Sequence, residues 1–314
     1  MPAATVMKTI YAVPMSWILL LALIAASGCQ GSPVRVLTSF QPLYSLAKEV
    51  AGPDGGLVVQ NLASRTVGPH EYDAGRPPWQ ASFRAMVRDA DAIVTLGEYS
   101  LSPLFDDLFA HARAANVRIV EVDPGRPWLD EPPLLLLPNP DGSINPHVWL
   151  SLTHAAQMAE RLADDFALLD PAHGGTYRRR AAAYGQRLRE LRAGYASRVA
   201  ELERAEVVVV TEGFPYLMHD LGIWVVDTIL EPLDPEALEA RLTAAGAPVV
   251  VAESMVSGAS QAAIERAGAR LLVLSTLEHG YGSSTQLDPA GYWKGMVANL
   301  EALVGALEES LAGD

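Results

Sequence analysis

Short runs of β-branched and apolar residues alternate with amphipathic stretches along most of the chain. In the first half the runs are Val34–Thr38, Leu57–Asn61, Ala92–Leu96 and Val117–Val122; the stretches between them are Leu43–Ala51, Trp79–Asp89 and Ser102–Ala115. Strand and helix alternating at this interval predicts a parallel sheet with right-handed crossovers. The second half repeats the pattern with strands at Val207–Thr211, Trp224–Thr228, Val249–Ala252 and Leu271–Leu274, then a closing helix from about Ala290 to Leu311. Between the halves, residues 171–205 hold no β-run and no Pro beyond Pro171. Leu188, Leu191, Tyr195, Val199 and Leu202 fall at spacings of three and four, a stripe along one helical face. Asp170-Pro171 is a helix start signal, and a helix from there would run ~45 Å at 1.5 Å per residue. The predicted fold is therefore α/β: two Rossmann-like lobes with parallel sheets, 29–170 and 206–314, joined by one long rigid helix, 171–205. Such a helix would limit hinge opening, and Arg178–Arg180 reads as its solvated face.

The first residues break the pattern. Lys8 precedes an apolar run from Trp17 to Ala26, followed by Ser27-Gly28-Cys29. That run is about half the ~20 residues a membrane-spanning helix needs, and its flanks are those of a secretory signal. Residues 1–28 are read as a signal peptide of the lipoprotein type, with Cys29 as the lipidated first mature residue. A plain secretory signal with an incidental Cys is the alternative; Cys29 is the only cysteine, so it has no intramolecular disulfide partner. The chain is expected to be exported and held at the membrane by its lipid alone, with no further spanning segment.

Of the 314 residues, 50% are hydrophobic and 19% charged, an ordinary globular balance for two lobes. The formal net charge of −14 repels phosphate backbones and speaks against nucleic acid as a partner. No phosphate-cradling glycine loop appears. Diffuse attraction of cations by an acidic surface is not a site, so any ion must be argued from individual ligands.

Open parallel sheets bind at the carboxyl ends of their strands, and the loops there hold the chemistry. Val67-Gly68-Pro69-His70-Glu71-Tyr72-Asp73 follows the second strand, Asn145-Pro146-His147-Val148-Trp149-Leu150 opens a helix, and Thr211-Glu212-Gly213-Phe214-Pro215-Tyr216 follows the first strand of the second half. Each Pro-His pair sets an imidazole on a stiffened backbone. Two neutral imidazoles and a carboxylate suit a borderline divalent ion. Each is weak alone: a loop His is more often a surface residue, and Glu212 could be a helix N-terminal charge.

Taken together, the motifs resemble the metal-binding proteins of ABC importers for zinc and manganese, the cluster A-I solute-binding lipoproteins. The likeness runs through Val36-Leu37-Thr38-Ser39-Phe40-Gln41-Pro42-Leu43-Tyr44, Pro69-His70-Glu71-Tyr72, Ala90-Asp91-Ala92-Ile93-Val94, Pro146-His147-Val148-Trp149-Leu150 and the closing Tyr292-Trp293-Lys294-Gly295-Met296-Val297-Ala298-Asn299. It implies a metal site in the cleft between the lobes, with His70 and His147 from the first lobe and Glu212 from the second. It also implies capture of one divalent ion, Mn²⁺ or Zn²⁺ with Fe²⁺ admitted, and delivery by a monomer to an ABC permease and its ATPase. The Glu at 212 and the absence of His between Gly125 and Asn145 lean toward manganese. One position departs from the pattern. The family's fourth ligand, an Asp after the last strand, falls at Ser275. Glu278, His279 or water would then complete the shell, and Glu278 is favoured.

Other residues take lesser roles. His154 reads as a surface helix residue and His219 as a satisfied core histidine or a partner behind the ligands. His111 and His173 read as incidental, Glu253 as a strand-end residue that orients a ligand or caps a helix, and Asp288 as a cap for the last helix. Trp149 and Phe214 are expected to pack the cleft and exclude water. Two rival functions use the same residues. A secreted metallohydrolase would need an open coordination position and a base such as Glu71, Glu253 or Glu278; a lipoprotein adhesin would look the same in sequence.

Overall fold

The computed structural model describes residues 32–54, 56–62, 79–96, 110–121, 136–279 and 287–312. Cys29, the loop bearing His70 and Glu71, and most of the predicted helix at Ser102–Ala115 lie outside them, although 110–114 is helical. The first lobe contains β1 (Val34–Thr38), α1 (Gln41–Ala51), β2 (Leu57–Asn61), α2 (Trp79–Arg88), β3 (Ala92–Thr95) and β4 (Arg118–Glu121). Its four strands are parallel in the order β2-β1-β3-β4. A 3-10 turn (Val148–Leu150), α3 (Leu152–Leu169) and α4 (Gly174–Ala200) follow. The second lobe runs β5 (Glu206–Val209), α5 (Pro215–Leu221), β6 (Trp224–Thr228), α6 (Pro235–Ala245), β7 (Val249–Ala252), α7 (Gly258–Arg266), β8 (Arg270–Val273) and α8 (Gly291–Ala312). Its sheet repeats the arrangement, β6-β5-β7-β8, all parallel.

The unbroken apolar strands have a simple cause. Successive side chains point to opposite faces of a sheet, and both faces of the central strands β3, β5 and β7 are covered. Val207 and Val209 of β5, with Val249 and Val251 of β7, join a core that continues through Trp149, Tyr292 and Leu300 into Val36 and Val94 of the first sheet. The alternate residues Val208 and Val250 pack outward against Leu238, Leu242 and Ile264 of α6 and α7. Leu37 and Ile93 do the same against Phe83 and Val87 of α2. One core thus spans both sheets, and Val34–Asp314 form one compact unit.

The linking helix differs from expectation at its start. Asp170 ends α3 rather than opening the next helix: its N–H bonds Phe166 O, and Pro171 lies in the turn before α4. α4 has 27 residues, ~40 Å by its rise. It is fastened to the first lobe through Tyr177 and Arg180, and to α8 through Tyr195 and Arg198. Among the described residues no helix is long and apolar enough to cross a membrane.

Candidate metal centre

Both sheets change winding direction between their first and third strands, so each offers a crevice at the carboxyl ends of those strands. Glu212 follows β5, Glu253 follows β7 and the segment Ser275–Glu278 follows β8. His147 approaches from the loop before the 3-10 turn.

The structure brings His147 and Glu278 together. Nε2 of His147 stands 3.3 Å from Oε1 of Glu278, and both side chains are almost fully buried. Asn145 fixes the imidazole. Its Oδ1 accepts from His147 N at 2.9 Å and lies 3.0 Å from His147 Nδ1, while its Nδ2 donates to Glu212 O at 2.6 Å. The second bond settles which end of the amide is oxygen. Nδ1 therefore donates to Asn145, which leaves Nε2 as the nitrogen facing Glu278. Trp149 backs the histidine at 5.0 Å between ring centroids and is stacked edge-on by Phe40 at 4.8 Å. Its Nε1 donates to Thr276 O at 2.8 Å, and its own carbonyl accepts from Tyr292 Oη at 2.6 Å. Trp149 and Phe214 are both fully buried, as their expected packing roles require.

Glu212 adjoins this pair through its backbone, and its carboxylate turns to the side: Oε2 accepts from Asn139 Nδ2 at 3.1 Å. It borders a depression of about 470 Å³ that also touches Asn139, His219 and Trp224. Among the described residues no group of three or more His, Cys, Asp or Glu side chains is gathered at metal-holding distance; His70 lies outside those residues. Ser275 is turned away from a ligand role, because its Oγ accepts from Leu277 N at 3.1 Å. His279 follows Glu278 in the same turn and is half-buried.

Several lesser readings need correction. His154 is buried, not on the surface: it sits in the first turn of α3 with its ring edge-on to Tyr216 at 5.3 Å. His219 is exposed rather than in the core, at the C-terminal turn of α5, where its position suits the helix dipole. His173 holds Asp170 at 2.7 Å, so it is not incidental. Glu253 caps no helix, since Ser257 caps α7; it accepts from Thr276 Oγ1 at 2.9 Å. Asp288 accepts from Ala290 N at 2.9 Å and so steadies the turn ahead of α8, which begins at Gly291, instead of accepting from the helix's own first turn. Asn145 and Asn139 had no role in the sequence reading. The only sequence signal for Asn145 was its place two residues before His147, the spacing at which an Asn side chain bonds the backbone ahead of it.

Two parallel four-stranded α/β lobes are the architecture of the two-lobed solute-binding proteins. The chain belongs to the family described as zinc-uptake complex component A, periplasmic, which it matches over residues 36–306. That is a family of metal-binding solute-binding proteins of ABC importers and not of enzymes, so the metallohydrolase reading is set aside. The chain is 24% identical over 291 residues to the high-affinity zinc uptake system protein ZnuA of Bacillus subtilis, covering 88% of this chain and 89% of that one. It is 26% identical over 218 residues to the zinc-binding lipoprotein AdcA of Streptococcus pneumoniae, covering 65% of this chain and only 40% of that protein's length. The Zn(II)-bound ZnuA-like domain of AdcA superposes with a TM-score of 0.69 at 26% identity, covering 88% of this chain and 99% of the domain. The Mn2+ complex of the solute-binding protein FpvC from Pseudomonas aeruginosa gives a TM-score of 0.71 at 24% identity, covering 88% and 99%, a likeness of fold.

Proposed function

We propose that the chain captures one divalent transition-metal ion on the outer side of the membrane and delivers it to an ABC permease driven by its ATPase. The ligands are His70 and His147 from the first lobe with Glu212 and Glu278 from the second. Cys29 carries the lipid that keeps the exported chain at the membrane.

The buried pair carries the proposal. His147 Nε2 and Glu278 Oε1 stand 3.3 Å apart, and two donors bonded at ~2.0–2.1 Å to one tetrahedral ion stand ~3.3 Å apart. The same spacing is long for a direct hydrogen bond. Asn145 turns Nε2 of the imidazole toward Glu278, so the ring needs no rotation to meet an ion there. Two imidazoles and two carboxylates accept Zn²⁺, and the second carboxylate favours the harder ions Mn²⁺ and Fe²⁺. Zinc binds such donors more tightly than manganese, so the ion transported follows from supply and from the permease as well as from affinity.

The test is titration of the chelator-treated chain with Mn²⁺ and with Zn²⁺, with elemental analysis of the product. One ion per chain is expected, with affinity reduced at least ~10-fold in Glu278→Gln and abolished in the double variant His70→Ala, His147→Ala. Tight, stoichiometric binding that persists in a folded double variant would sink the assignment.

A further inference from the structure

The path by which Glu278 reaches His147 is unusual. After β8 the chain does not present a ligand at once. Asn299, on α8, grips Ser275 from both sides: its Oδ1 accepts from Ser275 N at 3.1 Å, and its Nδ2 donates to Ser275 O at 2.7 Å. The Ser275 hydroxyl then accepts from Leu277 N at 3.1 Å. Thr276, between them, is held by Trp149 at its carbonyl and by Glu253 at its hydroxyl. Leu277 is buried, and its φ is +64°, a left-handed conformation that L side chains rarely adopt. That turn swings the next residue inward, so Glu278 ends buried beside His147 instead of out in solvent.

We infer that Asn299 and Ser275 are positioning residues for Glu278, holding the left-handed turn at Leu277 that carries its carboxylate to the metal ion. The serine at the place where an aspartate ligand is expected has become part of the scaffold, and the donor arrives three residues later. This inference rests on the metal-site reading above. It adds that the closing helix α8, through one amide, sets how well the site binds.

A double-mutant cycle separates positioning from mere stability. Metal affinity is measured for the wild type, Asn299→Ala, Glu278→Gln and the pair, with thermal melting of each. Asn299→Ala is expected to weaken binding ~10–100-fold, as losing a residue that orients a ligand does. In the Glu278→Gln background the same change should alter affinity by no more than about twofold. The fall in melting temperature should be the same in both backgrounds. If Asn299→Ala does not fold, Ser275→Ala, which removes only the hydroxyl that holds Leu277, is taken through the same cycle. Equal losses of affinity in both backgrounds would overturn the inference, and so would a folded Asn299→Ala chain with wild-type affinity. A wild-type chain that binds no ion would remove the metal-site reading and this inference together. Binding lost in Glu278→Gln but unmoved by either scaffold variant would overturn this inference alone.

Discussion

Gly213 stands between Thr276 and the histidine. A Cβ there would lie 2.8 Å from Thr276 Cγ2 and 3.9 Å from His147 Cδ2. Thr276 cannot yield freely, since Trp149 and Glu253 both hold it. Gly213→Ala should therefore cost ~1–3 kcal/mol, the usual penalty for overpacking, and should weaken metal binding because Thr276 adjoins Leu277 and Glu278. Urea denaturation and metal titration of the variant check both; a variant equal to wild type in each would show that the contact has slack. At this scale the sequence was informative where a residue type announces its chemistry. His147, Glu212 and Glu278 could be singled out as candidates through the family resemblance, and the structure sets His147 beside Glu278. Asn145 could not, because its partner is the Glu212 carbonyl, 67 residues away. His154 and His219 were assigned to the wrong surroundings for a related reason. A seven-residue interval places two residues on one helix face, but only the position of Tyr216 decides that His154 is inside.

The helices carry a second layer of design. The turn between α3 and α4 is organised by Asp170, whose Oδ2 accepts from Tyr177 Oη at 2.6 Å and meets His173 Nδ1 at 2.7 Å. Tyr177 Oη also accepts from Gly56 N, tying this turn to the start of β2. Burial alone would push the Asp170 carboxyl up, but the Tyr177 hydroxyl and then His173 outweigh it and hold it below the ordinary carboxylate value. A depressed carboxylate adds stability that is present above the unfolded value near pH ~4 and fades as pH falls through the folded one. Wild type should accordingly be more stable than Asp170→Asn at neutral pH, with the gap closing below pH ~4; melting both chains across that range checks it, and a gap that does not change with pH would exclude Asp170 as its source. At the other end of α4, burial and the neighbouring Glu301 push Tyr195 up to about 12. The existence and rough extent of α4 were readable, because its apolar stripe repeats at helical spacing. Its start was not: Asp-Pro is a valid helix opening, and only the preceding α3, ending on that Asp170, converts it into a turn. Strand ends were legible to within a residue or two, since valine runs buried on both faces leave little choice of position.

For the whole molecule, one core shared by both sheets and crossed by α4 implies that the two lobes unfold together. A single thermal transition is expected. An ion bound only by the folded chain, at ~100 times its dissociation constant, adds ~2.7 kcal/mol, which for a chain of this size raises the melting temperature by about 4–5 °C. Calorimetry with and without metal tests this, and two separate transitions, one of them blind to the ion, would show that the lobes are energetically independent. The two parallel sheets, with loops gathered at their carboxyl ends, followed from alternation in the sequence; the strand order and the shared core did not, since they depend on which edges and faces meet. α8 also ties distant stretches of the chain to one another. Asp288, just ahead of it, accepts from Gln41, Tyr292 bonds Trp149, and Asn299 grips Ser275, so a protease cut that released this helix would strip the pocket of its brace while leaving the strands of both sheets covalently intact.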